Sequence, residues 1–182
     1  DVLALTDQMT GIGWSGGLVF ARSPEILQHT GAGLTDLVPG LAVAGCTAAG
    51  LVNRQLRTGA AVQVTLLGGP GMSAAVAAGS LEHSDSRGAG SAAARGVAAL
   101  PRDGSDQVAL ILLAEGLAGD TNHAIRGAYE VAGARVPIVG GCAGDDLAMV
   151  ATHQLVGATL LTQAVVGLAV GSSAPFGVGV RH

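Results

Sequence analysis

An internal repeat is the feature that most constrains how this chain folds. Two segments each carry a Val-Pro pair, a short apolar run and a Gly-Cys pair, so that Gly45-Cys46 and Gly141-Cys142 are 96 residues apart. Apolar runs at 18–21 and 111–114 precede these pairs and are 93 residues apart. Self-similarity at a nearly constant offset indicates duplicated units. The sequence predicts two β-α-β units, at about 18–80 and 108–171, related by a pseudo-twofold axis, with a helix one turn longer in the second.

The strand and helix signals alternate along the chain. Ser23-Pro24-Glu25 and Asp120-Thr121 are typical helix starts, and Gly133 is a typical helix end. A third helix is predicted at 91–100, and the polar stretch 82–90 is predicted to be a surface loop. Short apolar runs bounded by glycine, without alternation, predict strands buried on both faces; they lie at 18–21, 41–44, 62–67, 108–114, 136–139 and 165–170. We expect one α/β domain over 1–182, with a mixed β-sheet core and flanking helices.

The composition excludes several classes of protein. A mean hydropathy of +0.51 with 12% charged residues excludes a disordered chain, because such chains cannot bury enough apolar surface to fold. The net charge of -4 argues against nucleic-acid binding, which needs a basic surface to neutralise phosphates. All nine basic residues are Arg, so the chemistry of Schiff-base and phosphate-loop lysines is excluded.

Neither a membrane segment nor an oxidising compartment is indicated. The chain starts at Asp1 without a basic region, unlike a signal peptide. The apolar stretch 155–171 is shorter than the roughly 20 residues that a membrane helix needs. Two cysteines are too few for a disulfide-rich scaffold, which favours the reducing cytoplasm.

No cofactor or metal site is indicated. The glycines at 11–16 match a dinucleotide-binding pattern, but a strand follows them where a helix is required. The glycines at 68–71 lack the lysine of a phosphate loop. Two cysteines 96 residues apart, with scattered histidines, do not match the spacing of zinc ligands.

The Gly-Cys turns are the best candidates for a binding site. Each turn follows a predicted buried strand, and α/β proteins bind ligands at the carboxyl ends of their strands. The turns comprise Gly45, Cys46 and Thr47 in the first unit and Gly141, Cys142 and Gly144 in the second. Three interpretations stay open for the cysteines: a nucleophile activated by a helix N-terminus, a pocket lining, or a small buried apolar side chain.

Charged residues near the second turn suggest how a ligand is held. Asp145 and Asp146 follow it directly. Either both are solvated turn residues, or one carboxylate binds a ligand ammonium, a role that Asp145 fits, while the other caps a helix. Arg181, near the end of the sequence, suits a ligand carboxylate because a guanidinium forms bidentate pairs. Glu115 ends another predicted strand and is a further candidate acid.

The order of these segments resembles the N-terminal domain of the FIST family. The similarity covers about 18–182, and its most specific parts are V-A-G-C-T-A-A-G at 43–50 and P-I-V-G-G-C-A-G-D-D at 137–146. The resemblance implies a bacterial, cytoplasmic sensory domain that binds amino acids or similar metabolites and is joined to signalling domains. It also implies a C-terminal domain, absent from this sequence, that could share the pocket. No catalytic residue is implied.

Two other functions remain as alternatives. The first is a thiolase-like acyl transferase that uses Cys46 or Cys142, with His153 as the nearest histidine in sequence. Such an enzyme needs a histidine partner and an oxyanion hole around its thiol. The second is an interaction module whose exposed strand edges pair with the missing domain or with a second copy in a homodimer.

Overall fold

The computed structural model describes residues 12–53, 55–56, 61–82, 85–101, 107–117, 120–175 and 177–179. The helices are α1 (Pro24–Leu37), α2 (Ser86–Ala93), α3 (Gly96–Ala99) and α4 (Thr121–Ala132). The strands are β1 (Trp14–Ala21), β2 (Ala42–Thr47), β3 (Val52–Asn53), β4 (Gln55–Leu56), β5 (Val62–Gly68), β6 (Met72–Ser80), β7 (Gln107–Ala114), β8 (Ile138–Cys142), β9 (Gln154–Val156), β10 (Thr159–Leu161) and β11 (Ala164–Ser172).

The larger strands form two mixed sheets. The first has the order β10-β9-β2-β1-β5 and the second the order β6-β11-β7-β8. In the first, β1 and β2 are parallel, and in the second β7 and β8 are parallel, while the other pairs are antiparallel. Strands β3 and β4 form a separate short hairpin. The predicted α/β class is confirmed, with the strands divided between two sheets.

The two β-α-β units have the same connectivity. Strands β1 and β2 enclose α1 in sequence, as β7 and β8 enclose α4, and an antiparallel strand (β5 or β11) then pairs with the first strand of each unit. The prediction of a longer second helix is wrong, because α1 has 14 residues and α4 has 12. The extra length lies before the second helix: six residues (115–120) separate β7 from α4, whereas two (22–23) separate β1 from α1.

Three apolar clusters show how the layers stack. One cluster lies between α1 and the first sheet, a second between the two sheets, and a third between the second sheet and the helices α2 and α4. The fold is therefore a four-layer α/β/β/α sandwich. Strands β2 and β11 are buried along their whole length, as continuous apolar runs predict. The same prediction is wrong for β5, which is only half-buried, and for β8, whose second half is exposed, because both are edge strands of their sheets.

The two halves exchange strands between the sheets. Strand β6, from the first half, pairs with β11 over its whole length in the second sheet. Strand β9, from the second half, pairs with the outer edge of β2 in the first sheet. Each half therefore completes the sheet of the other.

Local signals explain most of the helix boundaries. The side chains of Ser23 and Asp120 cap α1 and α4 as predicted, and Gly133 ends α4 with a φ of 83°. The prediction of a loop over 82–90 is wrong in its second half, because Asp85 caps α2 and the helix begins at Ser86. The helix predicted at 91–100 is divided between α2 and α3.

The long apolar stretch near the end of the sequence forms β9, β10 and β11. No helix in the described residues is both long and apolar enough to cross a membrane.

Candidate functional site

The carboxyl ends of β2 and β8 meet. The N–H of Gly144 donates a hydrogen bond to the carbonyl of Thr47 (2.9 Å). A Cβ on Gly144 would lie 3.2 Å from the nitrogen of Ala49, so the turns are in direct contact. The structure thus brings together the two segments that the sequence singled out.

The two cysteines nevertheless face opposite sides of their sheets. Cys46 pairs with Phe20, whereas Cys142 pairs with Ala114, the counterpart of Ala21 in the second unit. By strand pairing, Cys142 therefore corresponds to Thr47, 95 residues earlier, and not to Cys46, 96 residues earlier. A shift of one residue turns a side chain to the other face of a sheet. The Gly-Cys pairs are consequently not structural equivalents.

Cys46 is an inert apolar side chain. It is 3% exposed and packs in the cluster between the two sheets. Burial, with a smaller contribution from the charge of Cys142, raises the pKa of the Cys46 thiol to about 12. The thiol is the unreactive form, so the structure disfavours Cys46 as a nucleophile.

Cys142 is exposed and lies beside the start of α4. Its Sγ is 3.8 Å from Thr121 Oγ1. Thr121 also borders a groove of about 300 Å³ between α4 and the strands β7 and β8, lined by Leu112, Ala114, Thr121, Ile125, Ile138, Val139, Gly140 and Gly141. Of the predicted site residues, Gly141 and Cys142 are therefore at the groove or next to it.

The loop that follows β8 is fixed by Asp145. Its Oδ2 accepts hydrogen bonds from the backbone N–H of Val150 (2.7 Å) and Ala151 (3.3 Å). The Val150 bond is the main cause that lowers the pKa of Asp145. Asp145 therefore closes a loop and caps no helix, in agreement with the turn interpretation and not with the helix-cap interpretation. Three residues of this loop, Asp146, Leu147 and Met149, have φ between 55° and 65°, and such conformations typically concentrate at functional sites.

Asp146 forms an ion pair with Arg22. The distance from Asp146 Oδ2 to Arg22 Nη2 is 2.6 Å, and the two side chains are 57% and 41% exposed. Arg22 directly follows β1, so the pair joins the carboxyl ends of the two units across 124 residues. The predicted Arg181 lies outside the described residues. Sequence reasoning missed Arg22, whose only signal was its position between a strand and a helix cap.

Thr47 connects the first turn to the segment after the Asp145 loop. Its N–H donates to the carbonyl of His153 (2.9 Å), and its Oγ1 accepts the N–H of His153 (3.1 Å). Thr47 is buried, so its role is to hold the backbone at this junction. Gly45 also packs tightly, because a Cβ there would lie 2.4 Å from the carbonyl oxygen of Val19.

Glu115 belongs to a buried hydrogen-bond network. Its Oε1 accepts from Thr152 Oγ1 (2.5 Å) and from the N–H of Leu117 (3.1 Å). Gln154 Nε2 donates to the same threonine oxygen (3.3 Å). A cavity of about 10 Å³ next to Glu115 and Asp120 is large enough for one water molecule. Glu115 therefore holds the segment 152–154 in place beneath the strand ends.

These features define a class of protein: an α/β sandwich of two repeated units, with charged side chains gathered where the parallel strands end. The chain belongs to the FIST family, since the family model for the FIST N domain matches residues 16–182. Domains of this family generally serve as sensory modules in signal transduction. No curated protein matches the chain. Among the described residues, no three His, Cys, Asp or Glu side chains are grouped so that they could hold a metal ion.

Proposed function

We propose that this domain senses a small zwitterionic metabolite, such as a free amino acid, and binds it between Arg22 and Asp146. The observation that carries the proposal is the ion pair of these two side chains at the carboxyl ends of β1 and β8. A guanidinium pairs with a ligand carboxylate, and a carboxylate pairs with a ligand ammonium. A zwitterion can therefore satisfy both side chains at once.

The surroundings of the ion pair support a preorganised site. Asp145 fixes the loop that carries Asp146 through its bonds to Val150 and Ala151. On the other side, Ser23 caps α1 directly after Arg22. These bonds place the two charged side chains next to each other before a ligand binds, and the contacts of a bound zwitterion replace the direct contact of the pair. In this proposal Asp146 takes the role of ammonium partner that we predicted for Asp145, whose carboxylate is engaged by the loop backbone, and Arg22 takes the role that we predicted for Arg181.

The remaining predicted residues have supporting roles in this proposal. Thr47 and Gly144 join the two turns beneath the charged pair, and Gly45 permits close approach of β2 to β1. Cys46 packs between the sheets, and Gly141 and Cys142 lie on the side of the groove. An acyl-transfer function through Cys142 is the alternative, and its exposure beside Thr121 is the observation that favours it.

Partner binding is part of the same proposal. Leu147, Met149 and Val150 are 86%, 70% and 81% exposed in the loop that Asp145 and Asp146 anchor. A change of partner at Asp146 would alter this loop, which a signalling domain or a C-terminal domain could detect in the bacterial cytoplasm. If the loop changes, hydrogen exchange at the backbone N–H groups of Val150 and Ala151 should change when a ligand binds. Light scattering separately tests whether the partner is a second copy of the chain, since it would reveal a homodimer.

A thermal-shift screen of the twenty amino acids and matched derivatives tests the proposal. A ligand at about 100 times its Kd stabilises the folded state by about 2.7 kcal/mol, which corresponds to a rise in Tm of about 5–10 °C for a domain of this size. The N-acetyl and amide derivatives of the best ligand lack one charge each and should lose the shift. Equal shifts for the derivatives, or none for any amino acid, would contradict the proposal.

A further inference from the structure

Strand β8 is an open edge of the second sheet. In the described part of the chain it pairs only with β7, and Gly140, Gly141 and Cys142 are exposed. The strand Ile138–Cys142 contains no charged residue and no proline. Natural edge strands are usually protected from further pairing by such residues, by bulges or by covering elements. The described residues show none of these protections at β8, which indicates that this edge can accept another strand.

The first unit shows what completes such an edge. The outer side of β2, the counterpart of β8, is covered by the antiparallel strand β9, with Leu155 opposite Gly45. Leu155 is fully buried and packs with α1. A Cβ on Gly31 of that helix would lie only 2.5 Å from Leu155. A leucine on an added strand therefore fills the space between strand and helix.

The second unit has a groove in the corresponding place. The groove of about 300 Å³ lies between α4 and the strands β7 and β8, and the side chains that line it are apolar except for that of Thr121. Gly140 occupies the position that corresponds to Gly45, which faces Leu155 in the first unit. Gly140, Gly141 and Cys142 are exposed, so the described residues leave this end of β8 uncovered.

We propose that the outer edge of β8 is a strand-addition site for an extended, leucine-bearing segment of a partner polypeptide. The segment pairs antiparallel with β8, as β9 pairs with β2, and inserts its leucine between β8 and α4. In recognition of this kind, backbone hydrogen bonds supply affinity and the side-chain pocket supplies specificity. The β8 strand of a second copy fits this site less well, because it presents Gly140 and Gly141 and has no leucine to insert into the groove.

A peptide taken from the chain itself is the test ligand. A fluorescein-labelled peptide with the sequence of residues 152–161, which contains β9, is titrated with the intact protein and followed by anisotropy. We expect saturable binding that weakens at least tenfold when the peptide carries Leu155→Asp. We also expect that the peptide slows alkylation of Cys142, which ends β8. No saturable binding, or equal binding of the two peptides, would overturn the proposal.

A pair of protein variants locates the bound peptide. Gly141→Arg places a charged side chain on the edge of β8, and Gly13→Arg is the matched control, because a Cβ at either glycine has open space around it. Only Gly141→Arg should lose binding while its Tm stays near that of the native protein. If both variants lose peptide binding equally, or both retain it equally, the assignment to β8 is refuted. The proposal is also refuted if the native protein is a dimer and Gly141→Arg converts it to a monomer, since a second copy would then occupy this edge. Protection of Cys142 gives a readout that needs no variant.

Discussion

At the scale of single residues, the register of two strands decides what each cysteine can do. Cys46 and Cys142 each follow a glycine in sequence, but the paired strands of the two units are related by an offset of 95 residues and not 96. Cys46 therefore points into the layer between the sheets, whereas Cys142 points toward α4. The thiol of Cys46 is therefore buried, whereas that of Cys142, at the end of the edge strand β8, is exposed.

Alkylation rates should separate the two cysteines. With a pKa of about 12, only about one Cys46 thiol in ten thousand is ionised at pH 8, and the thiolate is the form that reacts. In the folded protein we expect a thiol reagent to label Cys142 alone, as mass spectrometry of peptides would show. Cys142→Ser should abolish labelling until the protein is unfolded. Rapid labelling of Cys46 in the folded state would show that the register is wrong.

Asp145 should make the loop after β8 sensitive to acid. Its pKa is lowered chiefly by the hydrogen bond from Val150, so the loop is stabilised at pH values above the carboxyl's ordinary value and loses this stabilisation as the pH falls through the lowered value. Hydrogen exchange at Val150 and Ala151, corrected for the intrinsic rates, should show loss of protection only in that acid range. Asp145→Ala should remove the protection at neutral pH. Protection that persists in the variant would contradict this role.

At the scale of elements, the packing of β9 and β10 against α1 completes the first unit. Leu155 fills the space beside Gly31, and a side chain at Gly31 would also approach the carbonyl oxygen of Gly157 to 2.4 Å. The contact between helix and hairpin thus depends on the absence of a side chain at this helical position.

Substitution of Gly31 by Ala should therefore destabilise the protein. Alanine is favoured over glycine in a helix by about 1 kcal/mol, but the forced contact with β9 should cost about 1–3 kcal/mol and outweigh this gain, for a net loss of up to about 2 kcal/mol. Thermal unfolding should show a fall in Tm of up to about 8 °C. Gly13→Ala, in open space, is the control and should leave the Tm nearly unchanged. A higher Tm for Gly31→Ala would contradict the packing.

Local sequence signals predicted the elements whose formation is decided locally. Each of the six apolar runs overlaps a strand, although residue 41 precedes β2 and residues 136–137 precede β8. The caps at Ser23 and Asp120 lie where expected. Strand β6 was missed because Met72–Ser80 consists mainly of Ala, Ser and Gly, and its pairing with β11 rather than its propensity makes it a strand. The start of α2 was missed because its Gly- and Ser-rich sequence is typical of a loop.

The candidate site was predictable only in part, for a related reason. The position of Asp146 follows from the strand end, and the contact of Thr47 with Gly144 follows from the repeat. The pairing of Asp146 with Arg22 spans 124 residues, and no local pattern encodes such a contact. The register of β2 on β1 and of β8 on β7 could not be predicted either, since a one-residue difference between the units is decided by the packing of whole strands.

At the scale of the whole molecule, the exchange of strands makes the two halves interdependent. Strand β6 depends on β11 for its pairing, and the outer edge of β2 depends on β9. Neither half therefore has a complete sheet of its own, despite the repeated units.

Fragments of the chain should show this dependence. Residues 1–101 alone would expose β6 and the edge of β2, and residues 102–182 alone would lack the strand that covers β11. We expect each fragment to lack cooperative thermal unfolding by circular dichroism, and an equimolar mixture to recover it. Two fragments that each unfold cooperatively by themselves would contradict the exchange of strands.

The central claim is that Arg22 and Asp146 together bind a zwitterion, and calorimetric titration of single-charge variants tests it most directly. The amino acid with the largest thermal shift is titrated into Arg22→Gln, Asp146→Asn and the exposed controls Arg95→Gln and Asp36→Asn. An exposed ion pair adds only about 0–1 kcal/mol to stability, so all variants should stay folded. A hydrogen bond to a charged group contributes about 1.5–3 kcal/mol, so each site variant should weaken binding about 10- to 100-fold, and the controls should not. Unchanged affinity in Arg22→Gln and Asp146→Asn would place the ligand elsewhere and contradict the account.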